Sequence, residues 1–82
     1  MNLETLCTTL ITTRGTEYFT LIINNESIQY SLRGTSRAGR NKRIVLKVYG
    51  AYDLQTEISK EKINSMNYKE LNDLITKMYI KK

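Results

Sequence analysis

Asn24-Asn25 sits between two alternating runs, and this arrangement constrains the fold more than any other feature of the chain. Residues 17–23 read Glu-Tyr-Phe-Thr-Leu-Ile-Ile, and residues 27–32 read Ser-Ile-Gln-Tyr-Ser-Leu. Asparagine tolerates a positive φ, as both central positions of a type I′ turn require. A two-residue turn pairs Leu21 with Ile28 and Phe19 with Tyr30. Phe19, Leu21, Ile23, Ile28, Tyr30 and Leu32 then share one face, the core face. A three-residue turn would slip the register and mix the faces. Residues 17–33 are therefore expected to form a β-hairpin.

The next stretch, residues 34–41 (GTSRAGRN), offers nothing larger than Ala to bury and carries two glycines. It reads as a loop. Residues 42–49 resume alternation, with Ile44, Leu46 and Val48 facing in and Arg43, Val45, Lys47 and Tyr49 facing out. Gly50-Ala51-Tyr52 suits a three-residue turn into a fourth strand, which puts Leu54, Thr56 and Ile58 inside and Gln55 and Glu57 outside.

Helices are expected at both ends. Leu3, Leu6, Cys7, Leu10 and Ile11 repeat with the spacing of one apolar helix face, so residues 2–14 read as a helix. Asn2 is placed to cap it, and Gly15 to follow its end. Five threonines restrict χ1, so a strand through Thr8–Thr13 competes with the helix. Asn67 and Glu70 have capping-box spacing ahead of the stripe Tyr68, Leu71, Leu74, Ile75, Met78 and Tyr79. Residues 59–66 read either as a short helix capped by Ser59 or as a linker.

The expected fold is a single α+β domain over residues 1–82: a two-layer unit with an N-terminal helix, a three- or four-stranded antiparallel sheet and a C-terminal helix. The helices cover one sheet face and leave the other to solvent or a partner. Double-stranded RNA-binding modules share this element order. Their Lys-rich entry to the last helix has no counterpart in Ser59-Lys60-Glu61-Lys62 or Asn67-Tyr68-Lys69-Glu70, so the likeness stops at topology.

Charge gives the functional lead. The net charge is +5, and it is uneven: −2 over residues 1–32, +6 over 33–52 and +1 over 53–82. The middle excess is Arg33, Arg37, Arg40, Lys42, Arg43 and Lys47, with no acid among them. Arginine presents a planar fork of donors matched to phosphate, and such a field steers polyanions. Gln29, Ser31, Arg33, Arg43, Lys47 and Tyr49 are expected on the exposed sheet face, where a tyrosine can stack on a base. Strand aromatics usually pack in the core or across strands, and among Tyr18, Tyr49 and Tyr52 it is Tyr49 that has the strongest claim to exposure. Glu57 is placed to pair with Lys47 or Arg43. Arg37 and Arg40, in the loop, are the cations least explained by folding.

Other chemistry has little support. The chain has no His and one cysteine, Cys7, which reads as a small core hydrophobe. No metal-ligand spacing, paired-carboxylate site or P-loop ending is present, so no cofactor and no metal are expected. The expectation is a small non-enzymatic nucleic-acid-binding protein. The alternative is a protein-binding inhibitor or adaptor docking on an acidic surface, of phage origin and acting on a host enzyme or nucleic-acid defence system. A ribonuclease toxin working through Arg, Lys and Tyr is a lesser alternative. Ile, Asn, Lys and Thr usage suits an AT-rich gene. The apolar runs are too short to span a bilayer and the N-terminus lacks a signal pattern, so the expected location is the cytoplasm (host cytoplasm if viral). An open sheet edge makes a homodimer possible.

Overall fold

The computed structural model describes residues 2–37 and 40–81. In chain order it has α1 (Leu3–Thr13), β1 (Thr16–Ile23), β2 (Glu26–Arg37), β3 (Arg40–Tyr49), β4 (Leu54–Ser59), α2 (Lys60–Asn64) and α3 (Tyr68–Lys81). The strands form one antiparallel sheet in the order β1-β2-β3-β4. The α+β architecture is the one expected, with four strands. No helix among the described residues is long and apolar enough to cross a membrane.

Local chemistry explains most of the elements. Asn24 and Asn25 adopt φ of 52° and 63°, and the hairpin pairs Leu21 with Ile28 and Phe19 with Tyr30. The Asn2 side chain accepts from the Thr5 amide at 2.8 Å and caps α1. Thr8, Thr9, Thr12 and Thr13 donate their hydroxyls to carbonyls four residues back, at 2.8–3.1 Å. The threonines thus satisfy themselves within a helix, and the competing strand through Thr8–Thr13 does not form. Asn67 and Glu70 close a reciprocal capping box at 2.8 and 3.0 Å. Ser59 caps α2, which resolves residues 59–66 as a short helix and a connection.

The helices lie on the inner sheet face. Leu32, Ile44, Leu46 and Val48 are fully buried there, with Cys7, Ile63, Leu71 and Ile75 packed from the helices. Each aliphatic side chain so buried contributes about 1.5–3 kcal/mol. Burial pushes the Cys7 thiol up to about 11, despite the opposing field of Lys60, so it stays neutral as part of this core. Aromatic contacts fix α3 along the sheet. Phe19 stacks on Tyr30 at 5.1 Å and lies 6.2 Å from Tyr68, and the Tyr30 hydroxyl donates to Asn72 Oδ1 at 3.3 Å. At the other end of α3, Tyr79 stacks on Tyr52 at 4.7 Å and accepts from the Ala51 amide at 2.8 Å.

Two expectations about the backbone are corrected. Of the stretch 34–41, residues 34–37 and 40–41 are strand rather than loop: β2 runs through Arg37 and β3 begins at Arg40. Residues 38 and 39 lie outside the described residues. Pairing continues through Gly34↔Ile44 and Thr35↔Arg43, then shifts register before Arg37↔Arg40. Gly34 is the reason the strand continues. Its missing side chain lets the backbone of α1 lie directly on β2, since a Cβ there would sit 2.2 Å from the Leu10 carbonyl carbon. Secondly, α1 ends one residue earlier than expected, at Thr13, with Arg14 as its left-handed cap at φ 56°. The Gly15 carbonyl accepts from the Gly34 amide at 3.1 Å, tying the end of α1 to β2.

Candidate binding face

Alternation along the strands decides which charges stand together. Opposite the helices, the register aligns Thr16, Arg33, Val45 and Glu57 in one row across the sheet. The next row is Tyr18, Ser31, Lys47 and Gln55, and beyond it Thr20, Gln29 and Tyr49. On the other side of the first row lie Thr35, Arg43 and Ser59. This face is uncovered by any described helix, and it carries Arg33, Arg43 and Lys47 within two neighbouring strands. Arg33 lies within β2 rather than at its end, because the strand continues to Arg37.

Glu57 is the one acid on the outward strand positions, and Arg43 Nη1 donates to its Oε1 at 3.3 Å. Both side chains are about half exposed (47% and 50%), so the pair is screened and contributes under ~1 kcal/mol. Arg43 is therefore partly neutralised, whereas no acid among the described residues pairs with Arg33 or Lys47.

The face is hollowed at its centre. Ser31 points outward by register yet is only 3% exposed, because taller side chains stand around it. Its Oγ lies 3.4 Å from the Tyr49 hydroxyl. Tyr18, Arg33, Lys47 and Tyr49 wall a depression of about 290 Å³ over Ser31, with Thr16, Val45 and Gln55 completing it. The lining combines two aromatic rings, two cations and several neutral hydrogen-bonding groups. It has no imidazole, thiol or carboxylate.

Tyr18 was not among the expected site residues. It is 61% exposed, while Tyr49 is half-buried, reversing the expected order of the tyrosines. The signal was present: alternation that turns Phe19 inward turns Tyr18 outward.

Lys42 departs from the expected site. It shares the inward parity of Ile44 and emerges beside α1, lining a different depression with Thr8, Ile11, Thr12 and Lys60. The backbones of Arg37 and Arg40 pair at the far end of the β2–β3 ribbon, past the last partners of β1 and β4. Their side chains lie outside what the structure describes. The Gly34 amide is held by Gly15, and α1 covers it. Of the expected site residues, Arg33, Arg43, Lys47 and Tyr49 come together.

None of the protein-family models, curated proteins or solved structures compared with this chain matches it.

Proposed function

We propose that this chain is a non-enzymatic nucleic-acid-binding protein that holds its partner on the open sheet face. The observation that carries this reading is the alignment of Arg33, Lys47 and Arg43 on the one face no described helix covers, with Tyr18 and Tyr49 beside them. Phosphates supply the charge that Arg and Lys complement, and aromatic rings accept bases by stacking. Arg37 and Arg40 extend the basic stretch along the ribbon.

Phosphate binding releases counterions, so its affinity must fall with salt. With three to five cations engaged, log K against log salt should have a slope of about −2 to −3.5 on a single strand and about −3 to −4.5 on duplex DNA. Titration of fluorescently labelled DNA and RNA over a range of salt concentrations measures it. Absence of binding to either polymer at about 50 mM salt would refute the reading. In that event, a protein retained from nuclease-treated host lysate would point instead to an acidic protein surface as the partner.

A further inference from the structure

Resting on the proposed nucleic-acid reading, we infer that the face is specific for unpaired strands and seats a base in the hollow over Ser31, against Tyr18 and Tyr49. The width of the sheet argues against a duplex as the preferred partner. Three interstrand spacings make it about 14 Å from β1 to β4, before side chains are added. A duplex major groove is about 12 Å wide and a minor groove about 6 Å. The sheet therefore cannot enter either groove face-on, and on a duplex only its long cations would reach phosphate. Tyr18 and Tyr49 would touch no base.

An unpaired strand removes that mismatch. Its bases can turn toward the sheet while its phosphates remain beside Arg33 and Lys47. The hollow, at about 290 Å³, lies just below the range of small-molecule pockets, about 300–1,000 Å³, and suits one flat ring rather than a larger ligand. Its walls fit the same occupant. Tyr18 stands on the edge strand with its ring in solvent, and the Tyr49 ring leans over Ser31 with its hydroxyl 3.4 Å from Oγ. The exposed Gln55 amide offers both donors and acceptors to a base edge. Stacking on tyrosine does not demand one base, because every base has a face to stack.

The experiment compares a labelled oligothymidylate, an oligouridylate and a hairpin duplex with equal numbers of phosphates, at one salt concentration. Wild type is expected to bind the single strands at least about tenfold tighter than the duplex. Tyr18→Ala should weaken single-strand binding by about 5- to 100-fold while leaving duplex binding within about twofold. Tyr18→Phe, which keeps the ring, should behave as wild type. Tyr18 is 61% exposed, so its removal leaves the core intact, and circular dichroism verifies the fold. Equal affinity for duplex and single strand would overturn the inference while leaving the proposed function standing. So would single-strand binding unchanged by both Tyr18→Ala and Tyr49→Ala. Failure to bind any of the three polymers would remove the proposed function, and the inference with it.

Discussion

Gly34→Ala lowers the midpoint of thermal unfolding by roughly 10–25 °C, a large effect for a one-methyl change. Alanine is a better strand residue than glycine in isolation, so propensity alone would favour the substitution. Packing reverses the sign. The new methyl would stand 2.2 Å from the Leu10 carbonyl carbon and oxygen and 2.4 Å from the Ile11 amide nitrogen. These are backbone atoms of the last turn of α1, and no rotamer change can clear them. Either α1 lifts from the sheet, opening the contacts of Cys7, Leu10 and Ile11, or β2 bends away and loses the Gly34–Gly15 bond. Either response costs about 2–4 kcal/mol, a large share of the ~4–12 kcal/mol expected for a domain of this length. Gly50→Ala is the control. Its methyl would meet the hydroxyl and ring of Tyr79 at 2.3–2.8 Å, but a side chain can move where a helix backbone cannot. Its cost should be smaller, about 1 kcal/mol or slightly more, reflecting a displaced Tyr79 and its bond to Ala51. Equal midpoints for wild type and Gly34→Ala would mean that α1 does not rest on β2 as described.

Reversing Arg33 and Lys47 together to Glu should weaken binding to single-stranded DNA or RNA by roughly 100-fold at low salt. The slope of log K against log salt should become shallower by about 1.5, since two phosphate contacts are lost. Both residues are exposed, so the fold should survive with little change. Net charge alone predicts some loss, because the double reversal takes the chain from +5 to +1, a change of four units. Lys69→Glu with Lys77→Glu on α3 makes the same change on the helix side of the molecule. That control separates geometry from overall field: it should cost only a few-fold in affinity through long-range steering. If the α3 pair and the sheet pair weakened binding equally, the face would have no special part in it.

Much of this fold is legible in the sequence because the deciding interactions are local. Asn24-Asn25 fixes the hairpin register within four residues, Asn2 caps its own helix, and Asn67 with Glu70 closes a box three residues apart. The continuation of β2 and β3 is not legible in the same way. Gly34, Thr35, Ser36 and Arg37 have the composition of a loop, and what makes them a strand is distant in sequence: α1 above Gly34 and β3 beside it. The same long-range contact gives Gly34 a packing role that its loop-like composition does not reveal. Arg14 takes the left-handed position that ends α1, and the Gly15 carbonyl ties that end to β2. Parity along the strands places Arg33, Arg43, Lys47 and Tyr49 on one face, as the register has them. It also contained the answer for Lys42 and Tyr18. Lys42 has the parity of buried Ile44, and Tyr18 the parity opposite to Phe19. The expectation that strand aromatics pack in cores hid the second.

The most direct test of the open face as the binding surface is a map of backbone amide shifts during titration with a single-stranded oligonucleotide. Binding at the face should move the amides of Tyr18, Ser31, Arg33, Lys47 and Tyr49 first and furthest. The exposed side of α1, around Thr5 and Thr9, should stay nearly still. Large shifts confined to α1 or α3, with the outward strand positions unmoved, would contradict the assignment of this face.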